Sequence, residues 1–370
     1  MKYVKILSFI FMTATIQSCF SADEDPVSVP PMTGSEVEAK VGGPTEPNQV
    51  WIDLSDFEKP TINKRTDWDL GFYAGEDYRV IINSSIAMAV AKIPNATNIN
   101  EVKEADVASL QSMVQVGTFN IANLQYIDSP KGNFLSQTSG IEAIKENDSE
   151  NPIYLVNLGR EMSDPNMNVA PGSTSLGVEA RGWKKIQILR ATNGYKIRYA
   201  DLNATTYQEY TILKDSEYNF NFFNLKTGLP VMIQPKKKNW DLAFTAFTSE
   251  VFMGPGNSAG SYFFADFIIT NTTSGVGAYQ VDAGANLDQA YASFKLNNVD
   301  ESKFVFDDQR AIGDKWRTTT GTATTPGAFV YPDRFFILKD AEGFYFKLRF
   351  NKMKDAQGNR GHASFEFEPL

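Results

Sequence analysis

One cysteine and one histidine stand in 370 residues. The lone Cys19 excludes an internal disulfide. The lone His362 excludes a metal or haem iron held between two histidines of one chain, and a nucleophilic triad would have to be built on it alone. The chain has no His-Glu-x-x-His, no Cys/His cluster and no EF-hand loop, so zinc and calcium sites of recognisable type are missing. Gly254 to Gly260 is glycine-rich but lacks the Lys-Ser/Thr ending of a phosphate-binding loop, and reads as a mobile loop. Lys and Arg number 35 against 44 Asp and Glu, a net charge of −9 that disfavours nucleic acid and offers no basic field to an anionic membrane. These absences point away from an enzyme and toward a binding or interaction protein.

Tryptophan is also scarce, five in all, yet two of them lie in the same phrase. Asp67-Trp68-Asp69-Leu70-Gly71-Phe72 returns 172 positions later as Asn239-Trp240-Asp241-Leu242-Ala243-Phe244. Upstream, Trp51-Ile52-Asp53-Leu54 answers Phe222-Phe223-Asn224-Leu225 at an offset of 171, and each is followed by a basic patch, Lys64-Arg65 or Lys236 to Lys238. Downstream, Val80-Ile81-Ile82-Asn83 answers Ile268-Ile269-Thr270-Asn271 at 188, and Ile188 to Gly194 answers Ile337 to Gly343 at 149. The order of these anchors never changes, which is the mark of a tandem duplication of a domain-sized unit. The expected domains are 49–215 and 216–370. Asp69 and Asp241 repeat without a recurring base or nucleophile beside them, so they read as structural carboxylates accepting from turn backbone or from the adjacent basic patch.

The first five residues are short and basic, and Ile6 to Ile16 is an apolar run too short to span a bilayer. It ends at Gln17-Ser18-Cys19, which resembles the lipobox of bacterial lipoproteins, with Gln17 where a small residue is usual. The resemblance implies a signal peptide over 1–19, cleavage before Cys19 and acylation of its thiol. Residues 20–48 carry six acidic side chains against Lys40 and are rich in proline, so they read as a flexible acidic tether. Asp23-Glu24-Asp25 resembles the surface-export signal of Bacteroidota lipoproteins; a solvated linker is the other reading.

Period-two alternation dominates the chain beyond the tether. Phe344, Phe346, Leu348 and Phe350 alternate with Tyr345, Lys347 and Arg349, predicting a strand with one apolar and one wet, basic face. Tyr195, Ile197 and Tyr199 repeat the pattern, and Asn193-Gly194 and Glu342-Gly343 are hairpin steps. Helical spacing is confined to Glu101–Val116 and Asn286–Phe294, each just after an Asn-Ser-Ser or Asn-Thr-Thr anchor. The fold class is therefore all-β: two tandem antiparallel domains with about one short helix each, and a surface loop over Glu161 to Gly177.

Trp240 to Phe244, Ile312 to Arg317, Asp333 to Asp340, Tyr345 to Phe350, and Arg360-Gly361 with Phe365-Glu366-Phe367 together resemble the HmuY family of haem-binding lipoproteins from Bacteroidota. The resemblance covers most of 218–370 and reaches the first domain through the repeat. It implies a lipid anchor in the outer membrane, a place at the cell surface, and capture of haem or a porphyrin for a TonB-dependent receptor. The two-histidine ligation known in the family is unavailable here. Thioether is a softer haem ligand, and Met253, in the region after the second Trp-Asp-Leu strand, is the candidate axial ligand. Met232 lies before that strand and makes no evident pair with it. Tyr262 and Tyr279 are candidate phenolates. The alternative function is a surface interaction lipoprotein, a receptor partner or a binder of peptide or glycan, that has kept the scaffold and lost the haem site.

Overall fold

The computed structural model describes residues 34–137, 140–322 and 324–370. The expected signal peptide, Cys19 and the acidic cluster at 23–25 lie outside the described residues. In chain order the strands of the first half are β1 Ser35–Glu38, β2 Asn48–Ile52, β3 Thr61–Lys64, β4 Leu70–Tyr73, β5 Val80–Ile82 and β6 Ala89–Lys92. Helix α1, Glu104–Met113, precedes β7 Ile153–Asn157, β8 Trp183–Ala191, β9 Gly194–Asp201 and β10 Gln208–Leu213. The second half runs β11 Phe220–Asn224, β12 Leu229–Val231, β13 Leu242–Phe252, β14 Ser258–Thr270 and β15 Gly277–Asp282, then α2 Leu287–Ser293. It closes with β16 Arg317–Thr318, β17 Phe329–Val330, β18 Arg334–Lys339, β19 Tyr345–Lys354 and β20 Arg360–Pro369. The chain is all-β in architecture, as its alternation predicts, and α1 and α2 fall inside the expected segments.

Two four-stranded sheets carry the two Trp-Asp-Leu phrases, and each is assembled from both halves of the sequence. β4 and β5 pair with β11 and β12, in the order β12-β11-β4-β5; β13 and β14 pair with β2 and β3, in the order β14-β13-β2-β3. The register is the same in both. Leu70, Gly71 and Phe72 face Phe223, Phe222 and Asn221, while Leu242, Ala243 and Phe244 face Ile52, Trp51 and Val50. The first hairpin of each repeat thus pairs with the Trp-Asp-Leu strand of the other repeat. The repeat boundary and the structural boundary differ by one hairpin, and the segments 49–215 and 216–370 do not close on themselves.

Each of these sheets is buried on both faces, which is why the phrase is nearly continuously apolar. Leu70, Phe72, Phe223 and Leu225 face a core shared with the five-stranded sheet β10-β9-β8-β7-β6. Trp68, Phe220 and Phe222 face the opposite way, onto Trp51, Trp240, Ala243 and Phe247 at the other four-stranded sheet. Phe244 in turn stacks at 5.5 Å on Phe365 of the second five-stranded sheet, β1-β20-β19-β18-β15. Gly71 makes room within its own sheet: a Cβ there would lie 2.8 Å from Ile81 and 3.1 Å from the Phe222 ring, the side chains of its two cross-strand partners.

Three expectations need correction. Residues 34–48 are not a tether, because β1 pairs along β20, Ala39 and Val41 are buried, and the Thr45 and Glu46 side chains lie wholly inside. The acidic residues of β1 alternate outward, Glu38 meeting Lys352 at 2.8 Å, so the segment's charge hides an edge strand. Lys347 is not on a wet face: α2 covers it, and its Nζ donates to the Tyr291 carbonyl at 2.8 Å and meets Glu368 at 3.0 Å. Arg65 belongs to no surface patch, being fully buried and donating to the backbone carbonyls of Glu46, Ser85, Thr45 and Leu176. Buried cations of this kind persist because every donor reaches an acceptor.

Candidate functional site

The repeated aspartates clasp the exchanged hairpins. Asp241 Oδ2 accepts the Leu54 N–H at 2.8 Å, and Asp69 Oδ2 accepts the Leu225 N–H at 2.7 Å. Asn83 and Asn271 finish the two clasps alike, each donating its side-chain amide to the carbonyl of its own repeat's tryptophan, Trp68 or Trp240, at 2.7 and 2.9 Å. The aspartates themselves differ: Asp69 is ion-paired to the buried Arg181 at 2.5 Å. Among the described residues no cation pairs with Asp241, and burial pushes its carboxyl well above the ordinary range. These residues therefore do structural work, through turn backbone as expected, although the cation beside Asp69 is Arg181 and not the Lys64-Arg65 pair.

Between the two four-stranded sheets a cavity of about 80 Å³ is lined by Trp51, Trp68, Trp240, Gln234, Thr248 and Asp128. Trp240 Nε1, Gln234 Oε1 and Thr248 Oγ1 line it and have no hydrogen-bond partner, whereas Trp68 Nε1 donates to Gln49 Oε1 at 2.8 Å. Pockets for drug-sized ligands run from about 300 Å³ upward, so this space suits a few water molecules and not a porphyrin.

An exposed apolar surface lies on the β13–β14 hairpin. Between the tryptophan and Ile-Ile anchors the repeat offset grows from 172 to 188, and the added length is the outer part of the β13–β14 hairpin. β4 and β5 span four and three residues, β13 and β14 eleven and thirteen. The tip carries Phe252 and Met253 at 50% and 61% exposure, with the Met253 N–H closing the turn onto the Asn257 carbonyl at 2.9 Å. One flank is braced by the first half of the chain, where the Gly117 N–H donates to the Ser261 carbonyl at 3.1 Å and the Phe119 ring lies 5.9 Å from Tyr262. Gly260 permits that approach: its φ is +90°, and a Cβ would sit 2.4 Å from the Asn120 carbonyl oxygen. Phe119, Ile121 and Tyr262 are all substantially exposed. Apolar side chains gathered on a projecting hairpin mark a binding surface more often than scattered ones do.

Of the candidate ligands, Met253 and Tyr262 share this hairpin. Met232 is exposed on the separate β12 side, and Tyr279 is buried with its hydroxyl accepting the Asp300 N–H at 3.1 Å. His362 has both ring nitrogens turned to carboxylates, Nδ1 at 3.1 Å from Glu38 and Nε2 at 3.7 Å from Asp355, where it fastens β20 to β1. Among the described residues no group of three or more His, Cys, Asp or Glu side chains is arranged to hold a metal ion. None of them forms a helix long and apolar enough to cross a membrane. The bracing by Phe119 and Gly260 was invisible in the sequence, since the contact joins segments about 140 residues apart with no motif in either.

The described residues form antiparallel units built by duplication, with an exposed apolar hairpin on the second. The chain belongs to the HmuY family, whose profile, described as HmuY protein, matches residues 45–211 and again 216–367. That is a family of binding proteins rather than enzymes, known for haem. No curated protein sequence matches the chain. Among solved structures it is similar to apo PinO from Porphyromonas gingivitis, at 13% identity over 50% of this chain and 95% of that one, with a TM-score of 0.17.

Proposed function

We propose that this chain is a lipid-anchored protein of the outer membrane, displayed at the cell surface, that captures haem or a porphyrin for a TonB-dependent receptor. The observation that carries the reading beyond family membership is the extended β13–β14 hairpin, which offers Phe252, Met253 and Tyr262 on an apolar, exposed surface. A planar apolar ring system gains by covering such side chains, and Met253 would supply a thioether ligand. Methionine ligation raises the reduction potential of haem, which is to say that it favours the ferrous state. The second reading, an interaction lipoprotein without haem, is favoured by His362, whose Nδ1 is bound to Glu38 at 3.1 Å on the β1–β20 edge, away from the hairpin.

A haemin titration with and without dithionite separates them. It requires the whole mature chain, because the 216–370 fragment lacks β1, β2 and β3. The haem reading expects a saturable Soret shift, tighter on reduction and weakened in Met253→Ala. No saturable shift in either redox state leaves the interaction reading. Acylation of Cys19 is tested by mass spectrometry of the mature N-terminus and by whether Cys19→Ala still fractionates with membranes.

A further inference from the structure

Behind the same hairpin lies an unusual concentration of buried guanidinium groups. Arg317, on β16, has a side chain 5% exposed, and Arg360, at the start of β20, 8%. Both line a pocket of about 280 Å³ that opens between β14, β16 and the loop at 174–176. Arg65 lies just behind it, its guanidinium 5.8 Å from the centre of the Phe263 ring that lines the pocket.

The carboxylates opposite these three cations are too few. Asp266 is taken by Arg360, whose Nε and a terminal nitrogen both donate to Oδ2 at 2.8 and 2.6 Å. Arg65 donates only to backbone carbonyls. Glu46 accepts the Asp266 N–H at 3.0 Å, and burial together with the Asp266 charge holds its carboxyl far toward the protonated form. Arg317 donates to the Ala265 carbonyl at 2.6 Å, lies 3.9 Å from the half-exposed Asp314, and leaves its Nε without a partner. A buried cation without a matching anion is costly, and an arriving anion offsets that cost.

The polar groups around the mouth suit the same ligand. The Thr318 hydroxyl accepts the Gly321 N–H at 3.1 Å, so its own proton is free to donate, and the Thr319 and Tyr331 side chains line the pocket beside it. Asp266 itself is held at φ +47°, a left-handed conformation that a non-glycine residue adopts at some cost. We infer that the pocket formed by Arg317, Arg360 and Thr318 is a binding site for a small oxyanion, a carboxylate or phosphate group read by a guanidinium and neighbouring hydroxyls. The donors of this site, Arg317, Arg360 and Thr318, take no part in the haem reading, although the Tyr262 of that hairpin also borders the pocket.

The test is calorimetric titration of the whole mature chain with inorganic phosphate and, separately, with citrate, at ionic strength fixed with chloride. The site predicts saturable binding of at least one, weakened about tenfold or more in Arg317→Gln, since a buried charged donor is lost. Thr318→Val, which keeps every charge, is expected to weaken binding about threefold or more through one lost hydrogen bond. Near-UV circular dichroism establishes that each variant is folded, and Thr318→Val decides the matter if Arg317→Gln is not. Phosphate alone assigns a phosphate-bearing ligand, and citrate alone a carboxylate. No saturable heat beyond that of chloride, or unchanged affinity in the folded variants, overturns the proposal.

Discussion

Asp241 holds the backbone N–H of Leu54 at 2.8 Å across 187 residues of sequence. Its counterpart Asp69 holds Leu225 at 2.7 Å across 156. Each carboxylate fixes the turn that comes after a strand belonging to the other repeat, so the two domains are joined by reciprocal exchange of their first hairpins. The tryptophans obey the same exchange. Trp51 packs edge-on against Trp240 and Phe222 against Trp68, both at 4.8 Å.

The two clasps differ in charge, so their neutral variants should differ in cost. Asp69→Asn leaves Arg181, 1% exposed at its side chain, with only the more exposed Glu161 carboxylate at 3.8 Å. That loss should destabilise by about 3–5 kcal/mol. Asp241→Asn resembles the protonated carboxyl that burial already favours, and should cost under about 1 kcal/mol. Urea unfolding of both variants beside the wild type measures the contrast; equal costs would contradict it.

Trp240 and Trp68 are equally buried, but only Trp68 has a partner for its ring N–H. Trp68→Phe should therefore cost about 1 kcal/mol more than Trp240→Phe, the worth of a typical hydrogen bond. Trp240→Ala removes a side chain from the centre of the interdomain core, and about 3–5 kcal/mol is expected. A loss below about 1 kcal/mol in denaturant unfolding would show that the core does not depend on it.

Stability should decline from weakly acidic to weakly basic pH. Asp128 is partly buried at the wall of the small cavity and accepts the Ile82 and Gly140 N–H groups, and desolvation pushes its carboxyl up to about 7 from an ordinary 3.8. A raised folded-state value means that the folded protein binds a proton the unfolded chain has released. The contribution is complete below the unfolded value and is lost as pH rises through the folded one. Asp128→Asn should thus flatten the fall in unfolding free energy between pH 5 and 8 by about 2 kcal/mol. Parallel wild-type and variant curves would rule out Asp128 as the source.

Much of this architecture is legible in residue order. The Trp-Asp-Leu phrases fall on β4 and β13 and the two Asn anchors on their caps. Asn193 takes up the left-handed turn expected of it, at φ +53°. The exchange itself is not legible, because duplication makes the two pairings chemically alike: Ile52 and Phe223, or Trp51 and Phe222, serve either partner strand. β1 is not legible because only Val37 marks it as a strand among Ser35, Glu36 and Glu38, and its outward carboxylates resemble a tether's. Lys347 and Arg65 look like surface charge, since the α2 carbonyls and the turn carbonyls that accept from them come from distant segments. The added length of the β13–β14 hairpin was present in the offsets, but drift of that kind does not say where the extra residues project.

Hydrogen exchange at two backbone amides tests the hairpin exchange most directly. In Asp241→Ala, read peptide by peptide by mass spectrometry, the segment containing Leu54 should lose protection while that containing Leu225 keeps it, and Asp69→Ala should give the reverse. If Asp241→Ala instead exposes Leu225 and spares Leu54, each repeat pairs with its own hairpin and the exchanged arrangement is contradicted.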